Sequence, residues 1–434
     1  MPRDMPDEYA ITPCGPLRAE IRPPGSKSLT NRALVCAALA EGPSRLSGVL
    51  DSDDTRLMAA ALDKLGIRLQ ANFDQSTIDI VGCGGNIPAR QADLFIGNSG
   101  TSVRFLAAMI ALGHGQYRLD GTPRMRQRPI EDLLAGLRQW GADASSEAGT
   151  GCPPILIKAQ GLAGGPATVR GDVSSQFLSG LLLASPYAGR PVELRVAGTL
   201  VSRPYVEMTL EVMRAFGAAV EEQAGGFSIS NARAYRGRAY AIEPDASAAS
   251  YFFAAAAIAG GETTVSGLSR NSLQGDVRFV DVLEQMGCRV RWQSDQITVA
   301  SDGPAGVPLH GVDVDMNGIS DTVQTLAAVA LYAQGPTRIR GVGHIRHKET
   351  DRIGALAMEL RKLGAAVEEF EDGLLIMPGE PRGAHIDTYD DHRMAMSLAL
   401  VGLRTPGVVI RDPGCTAKTY PAFFDDLERV CATA

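Results

Sequence analysis

Apolar positions recur along the chain in two alternating patterns. In the first, apolar residues at helical spacing, with charges between them, end in an apolar-x-x-apolar pair followed by glycine. Examples are Leu62, Leu65 and Gly66; Leu137, Trp140 and Gly141; Met213, Phe216 and Gly217; Leu283, Met286 and Gly287; and Leu360, Leu363 and Gly364. This spacing predicts amphipathic helices with one buried face, each closed by a glycine at its C-terminal cap. A further copy over 422–430 stops near the chain end, and the glycines stand roughly 70–77 residues apart, which is a repeat. The second pattern is a run rich in Ala and Leu with few charges beyond its first turn. Copies begin near Ser28, Gly100, Ser174, Asp245, Ile319 and Asp391, with bodies such as 105–112, 177–184 and 394–401. These predict helices buried on most sides. Short β-rich runs between turn signals predict strands near 77–81, 155–157, 192–196, 289–292 and 374–377. The sum is six α/β units, each pairing an inner and an outer helix with a small sheet.

Three units precede residue 244 and three follow it. A chain of 434 residues exceeds one core, so two domains are expected: 25–244, and 245–434 joined by the N-terminal strand in 1–24. Pro23-Pro24 and Pro244 supply stiff crossing points between them.

Composition narrows the class. With 45% hydrophobic and 21% charged residues the chain reads as a soluble globular protein, and a net charge of −7 argues against general nucleic-acid binding. Seven cysteines, odd in number and scattered without CxxC or zinc spacing, predict a reducing cytoplasm and no structural metal. Residues 1–10 lack the apolar core of a signal peptide, and the most apolar windows are too short to span a bilayer, so a cytoplasmic location is expected.

The polar residues crowd the starts of the predicted helices. The stretch 24–32, with Lys27, Ser28, Thr30 and Arg32, reads as a loop opening a helix that Ser28 or Thr30 would cap; it is either a plain capped helix or an anion site. It is not a P-loop, because the required glycine and Gly-Lys-Ser/Thr order are missing. Similar clusters hold Asn98 to Ser102 with Arg104, Arg124 to Arg128, Ser174 to Gln176, Ser202 to Tyr205, Lys348 to Arg352, Asp391 to Arg393, and Lys418. A cation in a helix's first turn opposes the helix dipole by roughly 0.3–1 kcal/mol. Repeated cations there predict a bound anion with more than one negative group, in a cleft lined by helix starts from both halves. Within this basic setting Asp321 and Glu349 are candidates for proton transfer, with a helix cap and a first-turn acid as the plain alternatives. His392 reads equally as base or structural group, and His344, His347 and Glu349 do not match a metal-ligand spacing.

Taken together, these motifs resemble the 5-enolpyruvylshikimate-3-phosphate synthase family of enolpyruvyl transferases. The resemblance rests on 24–32, 97–101 with Arg104, 123–129, 174–176, 202–205, 245–252, 315–321, 348–352, 391–396 and 412–421, in family order over nearly the whole chain. It implies a two-domain inside-out α/β barrel of six βαβαββ-like repeats, three per domain, in agreement with the repeat above. It implies transfer of the enolpyruvyl group of phosphoenolpyruvate to the 5-hydroxyl of shikimate 3-phosphate, through a tetrahedral intermediate, without metal or organic cofactor. By motif position Ser174, Ser175, Ser202 and Lys348 would hold the shikimate phosphate, with His344 where many relatives have Asn. Ser28, Arg32, Tyr205 and Asp321 would surround the ring and carboxylate. Lys27, Arg128, Gln176, Arg352, Arg393 and Lys418 would hold phosphoenolpyruvate against Gly100, with Lys27 and Gln176 reaching both substrates. Asp321, Glu349 and Lys27 would move protons. The resemblance further implies a monomer with no nucleic-acid or membrane partner, and inhibition by glyphosate, because Gly100 matches sensitive relatives rather than tolerant ones with alanine. Ser99 and Phe105 depart from the family's common alanine and proline. Two other readings compete: a UDP-N-acetylglucosamine enolpyruvyl transferase, for which Cys152 is the candidate reactive thiol, and a non-enzymatic anion-binding repeat protein.

Overall fold

The two apolar patterns become two kinds of helix in a computed structural model, which describes residues 5–231, 234–303, 306 and 308–432. Residues 1–4 of the N-terminal stretch, and 232–233 of the polar link ahead of the fourth repeat, lie outside the described residues. By contact the chain separates into two compact units, Met1–Pro24 with Glu243–Ala434, and Gly25–Ile242. The Gly25–Ile242 unit holds α1 (Lys27–Leu39), α2 (Asp53–Lys64), α3 (Gly100–Ile110), α4 (Glu131–Gln139), α5 (Ser175–Ala184) and α6 (Arg203–Ala215). The other holds α7 (Ala246–Ala259), α8 (Phe279–Gln285), α9 (Val323–Ala330), α10 (Arg352–Lys362), α11 (His392–Ala399) and α12 (Phe423–Cys431).

Odd-numbered helices come from the Ala- and Leu-rich runs. Every residue of α3, α7, α9 and α11 is buried, as is α1 from Leu29 onward. Small side chains let these helices pack on one another within each unit, α1, α3 and α5 in one and α7, α9 and α11 in the other, α9 touching both its neighbours. Even-numbered helices bury one stripe, such as Phe423, Phe424, Leu427 and Val430 of α12. The glycines after α2, α4, α6, α8 and α10 all have positive φ, between +81° and +110°, which only glycine adopts without strain.

Small sheets cover the helices and follow one plan. Gln91–Phe95 pairs parallel with His114–Asp120 across α3, and the hairpin Asp143–Ser146 and Ile155–Gln160 completes the sheet antiparallel. Gly165–Arg170 and Val192–Ala197 repeat this across α5, and Asp313–Asp315 and Thr337–Arg340 across α9. Burial alternates along strands such as Gly165–Arg170, so one face meets the helices and the other meets water. This is the inside-out arrangement: helices within, strands without.

In both units the first repeat lacks a leading strand of its own, and a distant segment supplies it. Ala239–Ala241 pairs parallel with Pro43–Ser47, and Leu17–Ile21 with Gly261–Ser266. Glu8–Ala10 also joins Val409–Arg411, antiparallel. Among the described residues no helix is long and apolar enough to cross a membrane.

Two local expectations are corrected. The helix after Gly25 is capped by Ser26, not by Ser28 or Thr30; Ser26 Oγ accepts from Leu29 N, and Thr30 Oγ1 donates back to Ser26 O at 2.7 Å. A Cβ at Gly25 would sit 1.8 Å from Gly48 O, so the chain turns at this glycine and the helix begins directly after it. The stretch near Ile319 is a 3-10 turn, Asn317–Thr322, with non-helical geometry at Ile319, and α9 begins only at Val323.

Candidate active site

The polar residues picked out by sequence fall into two clusters, one in each unit. In the Gly25–Ile242 unit, Lys27 opens α1 and forms an ion pair with Asp54 of α2 at 3.3 Å. Arg32 is buried one turn further on. Its Nε donates to Thr209 Oγ1 at 2.7 Å, and its terminal nitrogens donate to Ser28 O and Tyr205 O, each at 2.9 Å. Burial pushes its pKa down to about 10, so it is charged at neutral pH but poorly solvated.

Close by in sequence order, Arg104 donates to Gly100 O and Gln176 Oε1, and Arg128 to Asn98 O and Asn98 Oδ1. Both guanidiniums close over Gly100, where a Cβ would lie 2.3 Å from Arg128 and 2.6 Å from Arg104. Ser174 caps α5 by accepting from Gln176 N; Ser175 and Ser202 are buried beside helix starts. Ser202 adopts the left-handed conformation (φ +54°), a strain of roughly 1–3 kcal/mol for a non-glycine residue.

In the other unit the cations meet carboxylates. Arg352, the first residue of α10, is nearly fully buried. Its Nε donates to Asp391 Oδ2 at 2.7 Å and one terminal nitrogen to Glu349 Oε2 at 2.9 Å; the other reaches Asp321 Oδ1 at 3.4 Å. Burial opposes its charge, but Asp391, Glu349 and Asp321 together outweigh that and hold its pKa above the ordinary arginine value. Arg393 donates to Asp321 Oδ2 at 2.7 Å, and Lys348 stands 3.9 Å from Asp321 Oδ1. Lys418 stands 3.9 Å from Glu349 Oε1. His344 is buried, and burial, reinforced by Lys348, drives its pKa down to about 3, so it is neutral.

The geometry revises the helix-dipole argument. Lys27, Arg352 and Arg393 lie in the first turn of an α-helix, and each is offset by a carboxylate, Asp54 in the case of Lys27. Arg32 and Arg104 lie in the second turn, while Arg128, Lys348 and Lys418 end 3-10 turns. Asp321 is not a helix cap, since Thr322 takes that position, and Glu349 precedes the Asp351 cap of α10 rather than sitting in its first turn. Backbone strain concentrates here as well. Besides Ser202, left-handed non-glycine residues are Tyr389 and Asp390, just ahead of Asp391, and Asp412, which begins the turn ending at Lys418; Ser76 is the exception among the described residues.

Residues 11–427 match the family model described as EPSP synthase (3-phosphoshikimate 1-carboxyvinyltransferase). The chain belongs to this family. A 3-phosphoshikimate 1-carboxyvinyltransferase of Nostoc punctiforme is 50% identical over 410 residues, 94% of this chain and 95% of its own length. The chloroplastic enzyme of that name from Arabidopsis thaliana is 45% identical over 98% of this chain and 84% of its own. Among solved structures, the EPSP synthase of Acinetobacter baumannii superposes with a TM-score of 0.80 at 26% identity, over 98% of both chains.

Seen as a member of the EPSP synthase family, the chain carries supporting roles that the sequence reading did not assign, to Asp391, Asn98 and Arg104 of its clusters and to Asp54, which it did not name. Asp391 anchors both Arg352 and the start of α11, accepting from Arg393 N at 2.9 Å, yet in sequence it is indistinguishable from a plain cap. Asp54, Asn98 and Arg104 hold Lys27, Arg128 and the Gly100 turn, and nothing but tertiary contact shows it. Cys152, the candidate reactive thiol, has its pKa raised by burial, the opposite of an activated thiolate. Among the described residues no group of three or more His, Cys, Asp and Glu side chains could hold a metal ion.

Proposed function

We propose that this chain transfers the enolpyruvyl group of phosphoenolpyruvate to the 5-hydroxyl of shikimate 3-phosphate and releases phosphate, a step toward chorismate and the aromatic amino acids. The observation that carries the reading is the array around Asp321, a carboxylate steered by Arg393, Arg352 and Lys348 within a chain of this family.

Ser174, Ser175, Ser202 and Lys348 take the shikimate phosphate, and Ser28, Arg32 and Tyr205 the ring and its carboxylate. Arg128, Arg352, Arg393 and Lys418 take the charges of phosphoenolpyruvate, Gln176 and Lys27 touch both molecules, and Gly100 lets the donor approach the backbone. His344 neighbours the shikimate phosphate as a neutral donor. Asp321 receives the 5-hydroxyl proton as that oxygen attacks the donor's C2, while Glu349 or Lys27 delivers a proton to the methylene carbon. Reversal of that second transfer, with loss of phosphate, restores the double bond in the product. The cations stabilise charge as it moves from carboxylate to phosphate during addition and elimination.

Asp321→Asn keeps the shape and one of the two arginine contacts, since its single carbonyl oxygen can accept from Arg352 or Arg393 but not both, and it removes the base. Turnover is expected to fall roughly 100- to 10,000-fold with little change in KM for shikimate 3-phosphate. Unchanged phosphate release from the purified variant would sink the assignment. Glyphosate is expected to compete with phosphoenolpyruvate; full activity at millimolar inhibitor would refute this. We further infer a cytoplasmic monomer needing no metal, which gel filtration, cell fractionation and turnover after chelation would check.

A further inference from the structure

Two successive non-glycine residues, Tyr389 and Asp390, have left-handed backbone, with φ of +57° and +54°. They are the central pair of a turn closed by Asp391 N, which donates to Thr388 O at 2.9 Å. A turn with positive φ at both central positions is ordinarily built from Asn and Gly, and strain of this kind persists only where surrounding contacts over-determine it. Asp391, the residue that leaves the turn, is fully buried. It accepts from Arg352 Nε at 2.7 Å, from a terminal nitrogen of Arg352 at 3.2 Å and from Arg393 N at 2.9 Å. The strained turn therefore sets the carboxylate on which Arg352 and the start of α11 rest.

Glu359, a fully buried carboxylate of α10, holds that turn from its other side. Its Oε1 accepts from the Tyr389 hydroxyl at 2.6 Å, and its Oε2 from Asp387 N at 3.2 Å and Lys362 Nζ at 2.8 Å. Lys362 also donates to Asp387 Oδ2 at 2.6 Å, and Arg411 to Asp387 Oδ1 at 3.0 Å. Burial, and then the bond to Glu359, raise the Tyr389 pKa, so the hydroxyl keeps its proton and remains a donor. Arg352 opens α10, and Glu359 follows two turns later on the same face, roughly 10 Å along the axis. One helix thus grips residues 387–391 at both ends, through Glu359 at one and Arg352 at the other.

We propose that Glu359 and Tyr389 are positioning residues, a clamp on the 388–391 turn that makes Asp391 hold Arg352 and Arg393 in the geometry that binds phosphoenolpyruvate. The proposal rests on the assignment of those two arginines to phosphoenolpyruvate made above. Glu359 has no exposed surface, so it acts through the turn and not on a substrate. Without the Tyr389 bond the left-handed pair is free to relax, Asp391 moves with it, and Arg352 loses the acceptor of its Nε–H.

The test compares the full chain with Tyr389→Phe, which removes one hydroxyl and keeps the ring. KM for phosphoenolpyruvate should rise about tenfold while KM for shikimate 3-phosphate stays within about twofold, because the two arginines serve the donor alone. Backbone amides of 389–393 should exchange with deuterium about tenfold faster, and those of α7 and α9 in the same unit should not change. Glu359→Ala removes the acceptor of the same bond, so adding Tyr389→Phe to it should raise KM for phosphoenolpyruvate no further. Should Glu359→Ala fail to fold, Tyr389→Phe decides alone. Unchanged exchange at 389–393 would overturn the clamp whatever the reaction. An unchanged KM for phosphoenolpyruvate, equal rises in both KM values, or additive effects in the double variant would overturn it as well. No turnover in the unsubstituted chain would instead overturn the proposed reaction, and the exchange measurement would still decide the clamp.

Discussion

Arg32 and Arg352 are both almost fully buried, one in each unit, and their surroundings move them in opposite directions. Arg32 donates to a hydroxyl and two backbone carbonyls, and burial lowers its pKa to about 10. Arg352 donates to Asp391, Glu349 and Asp321, and these carboxylates raise it despite equal burial. A buried cation among neutral oxygens gains from an arriving anion, which suits a residue assigned to a substrate carboxylate. A buried cation among carboxylates also holds those acids in place and fixes where Asp321 and Glu349 point, beside its proposed contact to phosphoenolpyruvate. Burial of a charged residue thus does not define its role. The charge of its partners does.

The sharpest way to break this comparison is to remove each guanidinium. Arg352→Met leaves Asp391 and Glu349 buried without its guanidinium, though with the Arg393 N–H and Lys418 still beside them, and is expected to cost roughly 3–5 kcal/mol of stability, along with turnover. Arg32→Met strands only neutral oxygens while removing a poorly solvated charge, so about 1–3 kcal/mol is expected, with the main damage in KM for shikimate 3-phosphate. Urea unfolding of both variants measures the difference, and equal losses would show the partners do not matter.

Acid should separate the clusters next. His344 is lowered to about 3 in the fold and stands near 6.5 when unfolded, so between these values the unfolded chain binds the extra proton. Its contribution is complete above pH 6.5 and is lost as pH falls toward 3, by up to about 1.4 kcal/mol per pH unit. His344→Asn, which places the common family residue there, should flatten that slope in unfolding curves between about pH 6 and about pH 4. An unchanged slope would assign the acid loss elsewhere. Arg32 itself should contribute nothing over this range, since it stays protonated.

A smaller effect tests the neutral-oxygen cluster itself. In Gly100→Ala the new methyl meets the ends of Arg128 and Arg104 at 2.3 and 2.6 Å, and these must retreat by about 1 Å to reach ordinary contact. KM for phosphoenolpyruvate should rise about tenfold with the fold intact, and glyphosate should lose more than the substrate does. Equal losses for both ligands would mean the turn does not discriminate between them.

Much of the architecture was legible in the sequence because it is local and repeated. The terminal glycine of each outer helix reports a left-handed cap, and the runs rich in Ala and Leu report helices with no solvent face. The starts were read less well. Ser28 and Thr30 look as good a cap as Ser26 until the close approach of Gly25 to Gly48 fixes where the turn ends. The 3-10 turn carrying Asp321 was read as a helix start for a similar reason, since its irregular Ile319 leaves no mark in the sequence pattern.

By itself, then, the sequence determined the six repeats, the two kinds of helix and the family, and through the family the residues expected to meet substrate. These follow from periodicity and motif order, which a linear chain records directly. Only the tertiary structure decided which charges meet. It paired Lys27 with Asp54 and gathered Asp321, Glu349 and Asp391 around Arg352. It left Arg32 among neutral oxygens. The physical reason is that electrostatic interactions depend on distances of a few ångströms between residues far apart in sequence, and only the packing of the folded chain sets those distances.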